Sequence, residues 1–246
     1  MNGLPYAGFA EIYDGFMSDA PYEDWLDWLK QVDLGDRLVA DVGCGTGTLT
    51  VQLAGRGASV IGIDQSSAML TAASARAMEQ RTKVTWMCQD MRALILPEQV
   101  DIILSTCDSL NYVLTENDLR DTFRRFYKAL KPAGLVYFDM LGPDRVDRLT
   151  DGVWFELHDD AEVWFTSEVR EGGLIEYEIH GYFESEAVPG LYQRVLEQHT
   201  EQFYPVETIL RLLEETGFTV DNVLGDFGRT SPTKADRLVF TAHKRG

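Results

Sequence analysis

Residues 41–49 read DVGCGTGTL, with an aspartate ahead of three glycines at alternate positions, directly after the apolar run LVA. Glycine weakens strands and helices alike, so three glycines where a strand gives way to a helix indicate that bare backbone is needed there. Backbone amides and the positive end of the next helix suit a polar ligand that approaches the main chain. Gly43, Cys44, Gly45 and Gly47 therefore predict a ligand-binding turn, with a ligand-free tight turn as the alternative.

Two further strand ends carry acidic residues. Asp64 ends the second predicted strand, 23 residues after Asp41. A carboxylate at that place can accept hydrogen bonds from both hydroxyls of a ribose. Gln89, Asp90 and Met91 follow the third predicted strand, where an acid can accept from the adenine amine and an apolar side chain can hold the ring. Each acid alone is typical of a solvated loop, but the three strand ends together predict an adenosine pocket.

The elements that position these residues alternate between strand and helix through the first 140 residues. The runs RLVADVG, SVIGID, KVTWMCQD, VDIILST and LVYFDM predict five strands. Helical patterns lie before and between them: PYEDWLDWLKQV, TGTLTVQLAGRG, SAMLTAASARAMEQR with Ser66 as N-cap, and ENDLRDTFRRFYKALKPAG closed by Pro132 and Gly134. This alternation predicts an α/β fold, a doubly wound parallel sheet that binds ligands at the carboxyl ends of its strands.

Around residue 150 the pattern changes to alternation with period two. Gly172 and Gly173 between two such runs predict a hairpin, and residues 191–203 predict another strand. The helical pattern PVETILRLLEETGF and the strand-like runs FTVDNVLGDF and RLVFTAHK follow. We therefore predict two domains: residues 1–140 with 205–246, and an antiparallel β insertion at 141–204 that covers the substrate site.

Composition narrows the function classes. The net charge of −18 disfavours a nucleic-acid substrate, which usually requires a basic face. Three cysteines without metal-ligand spacing predict a reducing, cytoplasmic setting and no metal site. The sequence contains no apolar run of about 18 residues and opens with acids rather than a basic region, so we expect neither a membrane span nor a secretory signal.

The motifs DVGCGTGTL, GIDQSSAML, CQDM and LKPAG together resemble the class I S-adenosylmethionine-dependent methyltransferases. The resemblance covers residues 35–140 closely and the whole chain in outline. The segment AEIYDGFMSDAPYEDWLDWL, the insertion and the run HTEQFY are similar to those of small stand-alone bacterial methyltransferases. That subgroup is related to methyltransferases that act on small amines and other metabolites, and its own substrates are often unassigned. The family fold implied is a Rossmann-like seven-stranded sheet, mostly parallel with an antiparallel last strand.

The resemblance also implies roles for individual residues around S-adenosyl-L-methionine. Asp41 would help to bind the ammonium group, Asp64 the ribose and Asp90 the adenine amine. Gln65 would pack beside the adenine, and Cys107 would line the methionine and sulfonium region. The other residues placed around the cofactor are Tyr13, which would close over it, and Gly43, Cys44, Gly45, Gly47, Gln89 and Met91. Met69 would pack its helix onto the sheet.

The methyl acceptor is less well defined. Residues after the fourth strand and at the end of the insertion are candidates for the acceptor side: Asp108, Asn111, Tyr112, His199 and Tyr204. No Asn-Pro-Pro-Tyr sequence follows the fourth strand, and no residue is assigned as a catalytic base. Residues 141–204 contain fifteen acids against four arginines, a net −11 that favours a neutral or cationic small molecule such as an amine. The equal alternative is that these acids only keep the outer sheet face soluble.

Other function classes stay open at this point. A nicotinamide dehydrogenase would need GxGxxG, but Thr48 stands at the third glycine. Aminopropyl transfer, a non-catalytic cofactor-binding or protein-interaction module, and an RNA-modifying methyltransferase share the same fold. Either a monomer or a homodimer is compatible with the sequence.

Overall fold

A computed structural model describes residues 20–150, 152–157, 161–184 and 190–246. The order of elements matches the predicted alternation of strand and helix. In chain order they are α1 (Tyr22–Trp28), β1 (Leu38–Val42), α2 (Thr48–Gly55), β2 (Ser59–Asp64), α3 (Ser67–Glu79), β3 (Thr85–Cys88), β4 (Val100–Ser105), α4 (Glu116–Ala129), β5 (Leu130–Leu141), α5 (Pro143–Leu149), β6 (Gly152–Leu157), β7 (Ala161–Val169), β8 (Leu174–Glu184), β9 (Tyr192–Gln202), α6 (Val206–Glu215), β10 (Phe218–Gly225) and β11 (Arg237–Lys244).

The first sheet has seven strands in the order β10-β11-β5-β4-β1-β2-β3. Strands β1 to β5 run parallel, and β11 pairs antiparallel with both β5 and β10. The predicted Rossmann-like sheet with an antiparallel last strand is therefore confirmed. The chain winds outward in both directions from β1 and β4, so the carboxyl ends of these two strands flank the crevice where ligands bind in such sheets.

Neighbouring residues of β4 show why helices cover both faces of this sheet. Ile102 packs in one apolar cluster with Trp25 and Leu29, whereas Ile103 packs in another with Phe123 and Phe126. Successive side chains of a strand point to opposite faces, so an uninterrupted apolar strand requires cover on each side. The crevice thus lies at the end of a strand whose apolar side chains are buried on both faces.

The insertion after β5 forms a second, antiparallel sheet in the order β6-β7-β8-β9. The predicted hairpin is confirmed, with Gly172 and Gly173 both at positive φ between β7 and β8. One face of this sheet packs on the first sheet's helices, because Val163, Ile179 and Val195 form an apolar cluster with Met69 of α3. Met69 therefore holds the insertion sheet over the cavity rather than only anchoring its own helix.

Local corrections concern boundaries and two missed elements. The helix predicted to close at Pro132 and Gly134 ends at Ala129, because Leu130 already pairs with Val100 as the start of β5. The sequence reading also missed α5 and β6. The predicted N-cap is confirmed, since the Met69 amide donates to Ser66 Oγ at 3.4 Å. Among the described residues, no helix combines the length and the apolar character needed to cross a bilayer.

Candidate active site

A cavity of about 520 Å³ opens at the carboxyl ends of β1 to β4, beneath β9 of the insertion. It gathers most of the residues predicted around the cofactor. The predicted residues that line it are Asp41, Gly43, Cys44, Gly45, Asp64, Gln65, Gln89, Asp90, Met91, Cys107 and Tyr112. Those that do not are Gly47, Asp108, Asn111, His199 and Tyr204. Tyr13 lies outside the described residues.

The three glycines of the first turn serve different physical needs, although all have positive φ. A Cβ on Gly43 would lie 2.6 Å from the side chain of Ser109, and one on Gly47 would lie 2.9 Å from Ala73 and Trp86. These two glycines allow close packing within the protein. Only at Gly45 would a Cβ meet nothing within 4 Å, so Gly45 leaves open space beside the cavity.

Asp41 lies at the floor of the cavity and is almost completely buried. Its Oδ2 accepts a hydrogen bond from Thr50 Oγ1 at 2.5 Å, whereas Oδ1 is buried and accepts none from any of the described residues. Burial raises the pKa of Asp41 to about 6, and the nearby charge of Asp64 adds to the rise. An unsatisfied buried acceptor of this kind is costly, and it points to a donor supplied by a ligand.

Asp64 is held in place by the backbone of the turn it faces. Its Oδ2 accepts from the Gly45 amide at 2.9 Å and its Oδ1 from the Ser66 amide at 2.8 Å. Burial raises the pKa of Asp64, and these amide hydrogen bonds oppose the rise. The carboxylate is thus fixed beside Gln65 at the cavity wall, with lone pairs left to accept from a polyol.

The residues after β3 line the cavity but are already engaged by protein partners. Gln89 exchanges side-chain hydrogen bonds with the backbone of Ile95, at 2.9 and 3.0 Å. Asp90 binds the guanidinium of Arg92, with Nη2 to Oδ2 at 2.5 Å, and this hydrogen bond lowers the pKa of Asp90. Met91 contributes an apolar wall. Arg92 was not predicted from the sequence, and it constrains what Asp90 can present to a ligand.

The turn after β4 depends on a buried aspartate that sequence reasoning missed. Cys107 and Asp108 are consecutive non-glycine residues at positive φ, a strained arrangement. The fully buried Asp139 of β5 accepts from both of their amides, at 3.0 and 2.8 Å, and from Trp25 Nε1 and Arg237 Nη1, each at 2.5 Å. Burial raises the pKa of Asp139, whereas Arg237 opposes the rise. Asp139 therefore fixes the turn that carries Cys107 into the cavity.

Three of the five acceptor candidates have structural roles. Asp108 forms an ion pair with Arg237, and neither residue lines the cavity. Asn111 is fully buried, donating to the Gln202 carbonyl at 2.8 Å and accepting from the Leu141 amide at 3.1 Å. The geometry thus does not place these two side chains at the cavity, because their polar atoms join the turn to neighbouring elements.

Tyr204 is likewise buried, and its hydroxyl donates to the Val113 carbonyl at 2.5 Å. His199 lies behind Tyr112, with Nδ1 at 3.3 Å from the Tyr112 hydroxyl, and burial lowers its pKa to about 4. Tyr112 itself lines the cavity. The insertion reaches the cavity through Gln198 and Thr200, which were not predicted.

The seven-stranded sheet with antiparallel β11, the glycine turn after β1 and the carboxylates at the ends of β1 and β2 together match the arrangement expected from the class I methyltransferase resemblance. A family model described as a methyltransferase domain matches residues 39–134. The chain is 33% identical to a protein of Geobacillus sp. (strain WCH70) named as a methyltransferase, over 98% of this chain and 100% of that one. It is 32% identical to the similarly named YqeM of Bacillus subtilis (strain 168), over 97% of each.

Among solved structures, the chain is similar to an S-adenosylmethionine-dependent methyltransferase from Clostridium acetobutylicum, with a TM-score of 0.87, 23% identity and coverage of 98% and 99%. A sugar N-methyltransferase from Streptoalloteichus has a TM-score of 0.77 at 21% identity, with coverage of 100% of this chain and 96% of that one. The chain therefore belongs to the S-adenosylmethionine-dependent methyltransferases, and it is an enzyme of that class.

Proposed function

We propose that the protein binds S-adenosyl-L-methionine in the cavity and passes its methyl group to a small, uncharged acceptor, leaving S-adenosyl-L-homocysteine. The observation that carries the cofactor assignment is Asp41 Oδ1, which is buried and unsatisfied among the described residues. The cofactor's ammonium group would supply the missing donor. When bound, the cofactor supplies an electrophilic methyl group on a sulfonium.

The residues of the chain would then act chiefly by orientation. Asp64 would hold the ribose, Gln65 and Met91 would flank the adenine, and Cys107 would lie toward the methionine end. Holding acceptor, methyl carbon and sulfur in line supplies much of the rate of such a displacement, up to roughly 7–11 kcal/mol for a well-oriented reaction. The turn fixed by Asp139 is the element best placed to set that alignment.

The distribution of charge favours an uncharged acceptor. Tyr177 and Ile179 face the cavity side of the insertion sheet, so the alternating Glu176 and Glu178 face outward, each with over 40% of its side chain exposed. This supports the alternative in which the acids keep the outer face soluble. In the turn after β4, Arg237 offsets the charge of Asp108.

The size of the cavity also favours a small acceptor, since cofactor and substrate sites in proteins usually have about 300–1,000 Å³. Structural neighbours include enzymes named for a sugar and for an amino pentose. At 20–21% identity they support the fold, and the acceptor of this chain has to be found by experiment.

The first test is calorimetric titration of S-adenosylhomocysteine into ligand-free protein, with NAD as the control. We expect micromolar binding of S-adenosylhomocysteine alone. Methyl-labelled S-adenosylmethionine is then incubated with pools of alcohols, phenols and amines, and in a separate arm with total RNA. Label in a small molecule supports the proposal, whereas label in RNA, or binding of NAD alone, contradicts it.

A further inference from the structure

We call the part of the cavity formed by the turn after β4 and by β9, where we place the acceptor, the acceptor end. Four polar side chains from three separate elements meet behind it. Tyr112 lies in the 3-10 turn Ser109–Tyr112, Tyr177 on β8, and His199 and Glu201 on β9. Tyr177 Oη donates to Glu201 Oε2 at 3.3 Å, and Tyr112 Oη lies 3.3 Å from His199 Nδ1. Tyr112 also forms a hydrogen bond with the Glu201 carboxyl. We refer to these four residues as the Tyr112 cluster.

Glu201 is 7% exposed, and the charged and polar groups that act on it come from β8, α5 and the turn after β4. Burial raises the pKa of Glu201 to about 8, and the negative charge of Asp108 acts in the same direction. The hydrogen bonds from Tyr177 and Tyr112 and the positive charge of Arg145 on α5 oppose the rise. A carboxyl group in this setting can change its protonation state close to neutral pH.

His199 and Tyr177 do not compete with Glu201 as proton acceptors. Burial lowers the pKa of His199 to about 4, so its imidazole is neutral and resists protonation. Burial raises the pKa of Tyr177, so it remains a hydrogen-bond donor to Glu201. Glu201 is therefore the group of the Tyr112 cluster best suited to accept a proton near neutral pH.

The hydrogen bonding of β9 shows which of its backbone groups face the cavity, and Tyr112 is the one member of the cluster among the residues that line the cavity. The Phe203 amide donates to Gly173 in the β8 hairpin, whereas the Gln202 carbonyl accepts from Asn111 on the other side. Backbone groups two residues apart point the same way in a strand, so those of Thr200 and Gln198 also face away from β8. Both residues line the cavity, while the inward side chain of Glu201 lies behind Tyr112.

We propose, on the basis of the proposed methyl transfer, that Tyr112 takes the proton that the acceptor loses and that Glu201 receives the hydroxyl proton of Tyr112 in turn. The acceptor is then a neutral nucleophile with O–H or N–H on the atom that becomes methylated. The backbone groups of Gln198 and Thr200 are placed to orient it.

The step balances without a further reagent. The acceptor's lone pair bonds to the methyl carbon, and the electron pair of the broken carbon–sulfur bond stays on sulfur. The acceptor's proton moves to Tyr112 Oη as the Tyr112 proton moves to the Glu201 carboxylate, which becomes a neutral carboxyl group. Return of that proton to water after product release restores the carboxylate.

The test compares Glu201→Gln with Glu197→Gln, a matched control, because Glu197 is also a buried glutamate on the same face of β9. The acceptor used is whichever O–H or N–H compound turns over in the labelled screen, with saturating cofactor.

We expect the wild-type rate to rise with pH through an apparent pKa at or below about 8, since Glu201 must be ionised to accept a proton. Glu201→Gln should lose this rise and about 100-fold in kcat, the lower range for general acid–base catalysis. Tyr112→Phe should lose a similar factor, and Glu197→Gln should retain the wild-type profile.

A second measurement does not depend on turnover. The infrared band of a protonated carboxylic acid, followed against pH in the complex with S-adenosylhomocysteine, should lose a component with a midpoint near 8 that is absent in Glu201→Gln. Failure of S-adenosylhomocysteine to bind would overturn the proposed function itself. With binding intact, the proton-transfer proposal is overturned by a wild-type pH profile in Glu201→Gln, by an absent infrared component, or by turnover only of tertiary amines or thioethers.

Discussion

The two ends of the cavity are built in different ways. The end where we propose that the cofactor binds, which we call the cofactor end, consists of turns that directly follow β1, β2 and β3. Its key contacts join residues near in sequence, such as Thr50 to Asp41 and Ser66 to Asp64. The acceptor end joins Tyr112 to His199, 87 residues apart, and Cys107 to Asp139 across neighbouring strands. Both ends contain a buried carboxyl group with a raised pKa, Asp41 in one and Glu201 in the other.

If the proposed function holds, this difference predicts that the acceptor can change while the cofactor site is kept. The cofactor end depends on the backbone conformation of strand–helix turns, which the sheet itself imposes. The acceptor end depends on how an inserted sheet lies against the turn after β4. Changes in the insertion can therefore alter the acceptor while leaving Asp41, Asp64 and the glycine turn in place.

The largest effect is expected from Asp139→Ala, which removes the carboxylate that holds the turn after β4 in place. Removing this carboxylate leaves the Trp25 indole without its buried acceptor and Arg237 with Asp108 as its remaining partner. It also removes the acceptor of the two strained amides. Loss of one partner from a buried ion pair typically costs about 3–5 kcal/mol. We expect a loss of that size in the free energy of unfolding by urea. Asp24→Ala, which breaks an exposed ion pair with Arg229, should cost about 1 kcal/mol or less.

A smaller but more specific effect is expected from alanine at the glycine turn. Gly43→Ala forces a methyl group against Ser109 and should cost about 2–4 kcal/mol of stability. Gly45→Ala adds a methyl group to open space, so stability should fall by only about 1 kcal/mol. Its affinity should fall by about 10-fold, because the methyl group occupies space beside the ligand. Equal losses of stability for the two variants would contradict this division of roles.

Asp41→Asn should change the stability of the ligand-free protein and its affinity for S-adenosylhomocysteine in opposite directions. Because the pKa of Asp41 is raised in the folded protein, protonated Asp41 favours folding and ionised Asp41 destabilises the ligand-free protein. This part of the free energy of unfolding is lost as pH rises from about 4 to 6. The asparagine variant should lack this component, which unfolding measurements across that pH range would detect. Loss of a charged hydrogen bond to the ligand ammonium should weaken S-adenosylhomocysteine binding by about 2 kcal/mol, or about 30-fold, at pH 7.

The same assignment predicts how wild-type affinity depends on pH. Below about pH 6, binding has to expel the proton from Asp41, so affinity should rise with pH up to that value and then level off. Calorimetry in buffers of different ionisation enthalpy would detect the released proton. Affinity independent of pH in the wild type, or an unchanged pH dependence in Asp41→Asn, would contradict the role of Asp41.

The smallest effect concerns the adenine. If Asp90 accepts from the adenine amine, Asp90→Ala should weaken S-adenosylhomocysteine by about 1 kcal/mol, or about five-fold. Arg92→Ala should leave affinity nearly unchanged, because Arg92 pairs with Asp90 at an exposed site. An S-adenosylhomocysteine analogue with unsubstituted purine in place of adenine, which lacks the amine and adds no new group, should bind wild type and Asp90→Ala equally well. A larger loss from Arg92→Ala than from Asp90→Ala would assign the adenine contact to Arg92.

Much of the fold could be predicted from local patterns. The strands β1 to β5 are short apolar runs between helical repeats, and the Gly172–Gly173 pair indicated the β7–β8 hairpin. The elements α5 and β6 were missed because PDRVDRL and GVWFEL are short and lack a clear period. The end of α4 was placed too late, because pairing of Leu130 with β4 ends the helix before Pro132 does.

The sequence by itself determined the cofactor end of this enzyme. Its glycines and acids directly follow predicted strands, and parallel strands bring their carboxyl ends together whatever the rest of the chain does. Only the tertiary structure decided the acceptor end. It turned Asn111 and Tyr204 into buried supports, placed Asp139 beneath Cys107, and brought Glu201 behind Tyr112. The physical reason is that these roles arise from burial and from contacts between distant elements, which a linear pattern of residues does not specify.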